Sequence, residues 1–209
     1  MKITLFLLIT AICSYFLGGL NGAIIISKYV WKNDIREHGS GNAGLTNYLR
    51  TFGPSSVVLV LLTDILKSVL AVLIGHWLLG SVGHAVTGRV FAGFCLMLGH
   101  IYPAFYQFRG GKGVLCAGTL VLMVDWRVGL ICWLVFLLVV LFTRYVSLGS
   151  VCCSVFFPVG MLIFGYTGID VWLALFCALL LIAKHHQNIA RLIHGKESKL
   201  SFGSKKNPF

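Results

Sequence analysis

Gly99-His-Ile-Tyr-Pro-Ala-Phe-Tyr-Gln-Phe-Arg-Gly-Gly-Lys-Gly113 is a polar hinge between two apolar segments. Three glycines, an arginine and a lysine fall within five residues, Arg109 to Gly113. Glycine lets a backbone take positive φ and approach a ligand closely, so that successive N–H groups converge on an anion. Gly110, Gly111 and Gly113 are expected to act this way, with Lys112 adding its charge and the following helix its N-terminus. The stretch is not a nucleotide P-loop, which needs Gly-x-x-x-x-Gly-Lys-Ser/Thr. Tyr106 stands in place of the first glycine, and Gly113 follows the lysine. The plainer reading is a turn between membrane helices with snorkelling cations. The rest of the chain decides between the two.

Of 209 residues, 58% are hydrophobic and only 11% charged, with a mean hydropathy of +0.91. A soluble domain of this length has nowhere to hide so much apolar surface. The expectation is one all-α integral membrane bundle, a single domain over residues 1–209. The net charge of +11 is scattered between apolar spans, which suits anionic headgroups or a phosphorylated substrate better than nucleic acid. All seven cysteines lie inside apolar runs, with no Cys-x-x-Cys and no histidine at metal-ligand spacing. They read as small hydrophobes, so no metal, cofactor or disulfide is expected.

Ile3 to Ile26 is long enough to span a bilayer and too long for the core of a cleavable signal peptide. Within it, Gly18 and Gly22 read as one helix-packing face. Further spans are expected near 55–75, 86–106, 112–125, 127–143, 146–166 and 170–192, making seven, the shorter ones tilted or partly re-entrant. Thirteen of the 17 cations then fall on one side: Lys28, Lys32, Arg36, Arg50, Arg109, Lys112, Arg144, Lys184, Arg191, Lys196, Lys199, Lys205 and Lys206. By the positive-inside rule the N-terminus is outside and the C-terminus cytoplasmic.

Every polar cluster then shares the cytoplasmic side. His38 to Gly53 has the Gly, Ser and Asn density of a loop tightened around a ligand. Ser40, Thr46 and Asn47 supply hydroxyl and amide groups, and Arg50 a planar fork that fits phosphate oxygens. Asp64 and Lys67 share a helical face inside the second span, either as a structural ion pair or as part of the anion site. Ser147 and Ser150 sit near a helix start, where an N-cap explains one and an oxyanion subsite the other. After the last span, His185, Asn188 and Arg191 share a helical face. No Ser-His-Asp set can be assembled, and no histidine is followed four residues later by aspartate.

Three blocks thus stand together: SGNAGLTNYLR (40–50), GHIYPAFYQFRGGKGV (99–114) and HHQNIARLIHGKE (185–197). In order and spacing they resemble the PlsY family of bacterial membrane glycerol-3-phosphate acyltransferases over almost the whole chain. The resemblance implies transfer of a fatty acyl group from acyl phosphate to the first hydroxyl of glycerol 3-phosphate, giving lysophosphatidic acid and phosphate without a cofactor. It implies catalytic roles for Ser40, Arg50, Lys112, His185 and Asn188. It implies substrate-binding roles for Lys67, Gly110, Gly111, Gly113, Ser147 and Ser150 and a structural role for Glu197; the residues themselves add Asn42, Thr46 and Asn47 to the expected binding set and Asp64 as a structural partner. A multi-pass place in the bacterial plasma membrane is implied too, as is contact with the enzymes that make acyl phosphate and add the second acyl chain. Ala43, His186 and Leu115-Cys116 depart from the family pattern, replacing a proline, an arginine and small residues respectively; none of these removes a catalytic group. The rival readings are a transporter of anionic solutes, which wants a site at the membrane midplane rather than on one face, and a lipid-binding scaffold, which leaves the three blocks unexplained.

Overall fold

The structure, a computed structural model, describes residues 1–200, so Lys205 and Lys206 of the cationic tail lie outside it. Among the described residues all regular structure is helical. Ten α-helices run in order: α1 Lys2–Gly19, α2 Gly22–Tyr29, α3 Leu45–Phe52, α4 Val57–Gly80, α5 Ala85–Ile101, α6 Val114–Val124, α7 Trp126–Thr143, α8 Val146–Ile163, α9 Ile169–Lys184 and α10 His186–Ile193. Helices α1, α4 and α5 pack together, α7, α8 and α9 pack in sequence, and α5 against α9 joins the two groups. Small residues let backbones approach at the crossings. A Cβ on Gly99 of α5 would lie 1.9 Å from the Tyr15 carbonyl oxygen of α1, and one on Gly75 of α4 would lie 2.2 Å from that of Gly88 on α5.

The outer surface is apolar, as a lipid-facing surface must be. Leu130, Leu134, Leu137 and Leu141 form an exposed stripe along α7, and Leu59, Leu62, Leu66 and Leu70 another along α4. Five helices are long and apolar enough to cross a membrane, or six if the bent pair α9–α10 counts as one span. The expected seven spans are therefore not met by helix length. The segment placed over 112–125 is α6, whose 11 residues cover about 16 Å at 1.5 Å per residue, roughly half of the ~30 Å hydrocarbon core.

Two expected single helices are also interrupted. The first apolar run breaks at Leu20-Asn21, where the buried Asn21 side chain caps α2 by accepting from the Ile24 N–H at 3.1 Å. Gly18 and Gly22 therefore do not form one packing face: Gly18 meets the Leu96 carbonyl on α5, and Gly22 the Val60 carbonyl on α4. The last run bends by 58° at His185. Both interruptions lie beside the polar blocks.

Candidate active site

Blocks one, two and three converge on a cavity of about 730 Å³. Its mouth is polar, lined by Ser40, Asn42, Thr46, Asn47, Arg50, Lys112, Ser147, His185, Asn188, Arg191 and Glu197. Its depth is apolar, with Val121, Trp133, Phe136, Phe157, Ala178 and Leu181. The volume falls in the range of ligand pockets, roughly 300–1,000 Å³.

The first block is shaped by Asn47, at the start of α3. Its amide donates to the carbonyls of His38 at 3.0 Å and Asn42 at 3.1 Å, and its oxygen accepts from the Ser40 N–H at 3.0 Å. Asn47 is buried and occupied by backbone, so it folds the loop that carries Ser40. Ser40 is exposed on that loop, and Arg50 is exposed in the last turn of α3. The Arg50 Nη2 donates to the carbonyls of Ser198 at 3.3 Å and Lys199 at 3.4 Å. These are long contacts that a phosphate oxygen can replace.

The glycine loop differs from expectation. The N–H groups of Gly110 and Gly111 do not point into an anion site; they donate to the Ile101 and His100 carbonyls at 3.2 and 3.1 Å, closing the end of α5. Gly111 is glycine because a Cβ there would lie 2.3 Å from the His100 ring and 2.6 Å from the Ala43 carbonyl. Gly113, at φ +78°, is the left-handed residue that starts α6. The free donors are those of the first turn of α6, which has no side-chain cap and whose Val114 and Leu115 line the cavity.

Lys112 stands half-buried at the boundary between polar mouth and apolar depth. Its Nζ donates to the Asn188 Oδ1, the Asn188 Nδ2 donates to the Glu197 Oε1 at 2.6 Å, and Ser147 Oγ donates to the same oxygen at 2.7 Å. The Arg191 Nε completes the set on the Glu197 Oε2 at 2.7 Å. An ionised carboxylate only accepts, so it fixes which way the Asn188 amide faces and turns the oxygen towards Lys112. Burial pushes the Glu197 carboxyl up, but the three donors outweigh it and hold the group below its usual range. Burial pushes the Lys112 ammonium down to about 8; Glu197 opposes this, while Arg191, Lys184 and Arg50 add to it.

His185 is buried at the α9–α10 bend and lines the cavity. Its Nδ1 donates to the Leu181 carbonyl at 2.8 Å, which leaves Nε2 as the acceptor. His185 is the N-cap of α10, and Asn188 and Arg191 follow at three-residue steps along it, so the expected shared face forms and all three reach the same wall.

Two expected phosphate contacts are turned elsewhere. Ser150 is fully buried and its hydroxyl donates to the Val146 carbonyl at 2.9 Å, a back-bond within α8. Neither serine caps that helix, whose N-cap is Tyr145. Lys67 is 3% exposed and absent from the cavity wall. Its Nζ reaches Asp64 at 2.7 Å, the Leu20 and Gly18 carbonyls at 2.9 and 3.1 Å, and His100 Nδ1 at 2.9 Å. Three ammonium protons among four protein acceptors leave none for a ligand. Arg191 and His100 line the cavity without being among the expected site residues, and Asn21 supports the first block through the Ala43 carbonyl. In sequence Arg191 offers only a shared face, His100 only a histidine without an aspartate, and Asn21 lies inside an apolar run.

The chain matches the model of the family described as glycerol-3-phosphate acyltransferase over residues 8–195. It is 42% identical over 196 residues to a glycerol-3-phosphate acyltransferase of Thermoanaerobacter pseudethanolicus, covering 94% of this chain and 96% of the relative. It is 41% identical over 203 residues to one of Clostridioides difficile, covering 95% and 97%. Among solved structures it is similar to PlsY (YgiH), an integral membrane glycerol 3-phosphate acyltransferase, in its glycerol 3-phosphate form. The TM-score is 0.83 at 34% identity, covering 93% of this chain and 96% of that one. The lysophosphatidic acid form of PlsY (YgiH) gives 0.80 at 33% identity, covering 94% and 96%.

Proposed function

This chain belongs to the glycerol-3-phosphate acyltransferase family, and from that premise we propose that it transfers a fatty acyl group from acyl phosphate to the first hydroxyl of glycerol 3-phosphate. The observation that carries this reading is one cavity whose lining joins a cationic mouth to an apolar depth. Both substrates carry a phosphate for the mouth, and the donor carries an acyl chain for the depth.

An acyl phosphate is a mixed anhydride with a good leaving group, so alignment and charge stabilisation suffice. The glycerol oxygen attacks the acyl carbon, and the bond between that carbon and the phosphate oxygen breaks. Inorganic phosphate leaves with the electron pair, and no acyl-enzyme forms. Arg50 and Lys112 hold and neutralise phosphate, while Ser40 and the first-turn N–H groups of α6 orient it. The hydroxyl proton passes to Nε2 of His185 or to a phosphate oxygen of the substrate. Purified protein in vesicles, given glycerol 3-phosphate and either acyl phosphate or acyl-CoA, tests the donor. Lysophosphatidate is expected from acyl phosphate alone; equal or better turnover with acyl-CoA refutes the donor assignment.

The Lys112 pKa adds a pH dependence with a definite sign. A lysine lowered to about 8 is fully cationic below that value and loses its charge as pH rises through it. Phosphate binding needs the cation, so kcat/KM for glycerol 3-phosphate should fall on the alkaline side with a midpoint near 8. Lys112→Arg should move that limb beyond about pH 10, because a guanidinium stays charged.

We further propose that the mouth faces the cytoplasm of a bacterial cell, with the N-terminus outside and α6 completing a seven-segment path. The cation distribution supports this orientation. Reactive cysteines placed after residue 205 should label only from the cytoplasm, and those near residue 82 only from outside. Labelling of both from one side would overturn the orientation and the segment count together.

A further inference from the structure

We propose that Asp64, Lys67 and His100 form a buried positioning unit that sets where the phosphate-handling loops meet, and with them where Lys112 stands. The proposal rests on the phosphate role assigned to Lys112. Asp64, Lys67 and His100 are each no more than 3% exposed. Buried charges inside a membrane protein are expensive unless they neutralise each other and do a job.

Four connections radiate from the unit. Lys67 Nζ donates to the Gly18 and Leu20 carbonyls, replacing the helical partners that these lose where α1 breaks. Asp64 Oδ1 accepts from the Gly22 N–H at 3.3 Å, where α2 begins. The break so held contains Asn21, whose Nδ2 donates to the Ala43 carbonyl at 3.0 Å and ties down the first block. His100 Nδ1 accepts from Lys67 at 2.9 Å, while the far edge of its ring fills the space a Gly111 side chain would need. The His100 carbonyl also accepts from the Gly111 N–H, one residue before Lys112. The ring orientation of His100, fixed by an ammonium that Asp64 fixes in turn, therefore sets the seat of the glycine loop.

Asp64 and His100 reach the cavity wall and Lys67 does not, but the mechanism gives none of the three a contact with the reacting atoms; they act through Lys112 and are positioning residues. A merely structural role would lower stability and leave the coupling to Lys112 at zero, so the test is a double-mutant cycle. His100→Leu removes the Nδ1 acceptor, and the cycle combines it with Lys112→Ala, reading kcat/KM for glycerol 3-phosphate. The proposal expects His100→Leu to cost tenfold or more in the wild-type background and less than about threefold when Lys112 is already alanine. His100→Asn, whose Oδ1 can replace Nδ1 as acceptor, should recover most of the loss. Equal losses in both backgrounds, or no recovery by asparagine, would overturn the proposal. If His100→Leu does not yield a monodisperse folded protein, His100→Gln goes through the same cycle. Gly111→Ala, which pushes the same contact from the loop side, goes through it in parallel and must show the same non-additivity. Wild-type turnover is measured alongside. Active wild type with additive losses sinks the positioning unit alone, whereas inactive wild type sinks the acyl-transfer reading on which it stands.

Discussion

Lys112→Ala lowers kcat/KM for glycerol 3-phosphate by about ten- to a hundredfold, with little change in the thermal midpoint. The Lys112 ammonium sits between the polar mouth and the apolar depth, where its burial already disfavours the charge. Removing a charge-assisted partner of phosphate from such a site costs on the order of 1.5–3 kcal/mol, and one tenfold step is about 1.4 kcal/mol. Arg50→Ala should cost a similar amount. Its guanidinium is exposed and, among the described residues, held by two long contacts to backbone carbonyls that a ligand can replace. Arg50→Lys should recover part of that loss, because an ammonium restores charge but not the bidentate fork. Steady-state kinetics with each substrate varied in turn reads all three variants. Unchanged kcat/KM in Lys112→Ala would remove the main cation from the proposed mechanism.

Glu197→Ala should be at least as damaging, although its carboxylate faces three protein donors rather than substrate. Ser147, Asn188 and Arg191 all donate to it. Alanine leaves Ser147 and Asn188, both buried, with unsatisfied donors, at about 1–3 kcal/mol each. The Asn188 amide also loses the reason for its orientation, and Lys112 loses a fixed acceptor. The expected result is a fall of about a hundredfold in kcat together with a lower thermal midpoint. Asn188→Asp is the sharper companion. It keeps an acceptor for Lys112 but sets one carboxylate against another, so activity should fall even though the added charge favours Lys112. Activity equal to wild type in either variant would mean that the network does not support catalysis.

The apolar segments were legible in sequence because burial in lipid and burial in protein both select for them. The boundary of α6 and α7 at Asp125-Trp126 was anticipated closely, since a polar residue between two apolar runs has few other places to go. The three polar blocks were also legible as one site, because the expected alternation of spans put them on one side, and all three line one cavity. What hydropathy does not report is where backbone hydrogen bonds end. Leu-Gly-Gly-Leu-Asn-Gly over 17–22 reads as one continuous apolar run, yet α1 stops there. Asn21 was the available signal, since asparagine prefers the N-cap. Asp64 and Lys67 share a helical face in sequence, as an ion pair or as part of the anion site, and the ion pair is what forms, at 2.7 Å. The further partners of Lys67, the carbonyls of the broken α1, exist only once the break is known. The glycines at 110 and 111 suggested an anion nest, but close approach to His100 and Ala43 also requires glycine, and composition does not separate the two uses.

The most direct test is a rapid-quench experiment on purified protein in vesicles, following acyl phosphate, inorganic phosphate, lysophosphatidate and acylated protein in the same samples. With acyl phosphate alone, direct displacement predicts no phosphate burst matching the enzyme concentration and no acyl group on protein. Adding glycerol 3-phosphate should then release phosphate and lysophosphatidate in equal amounts from the first turnover. An acyl adduct on Ser40 or His185 that forms with donor alone and is consumed when glycerol 3-phosphate arrives would contradict the account.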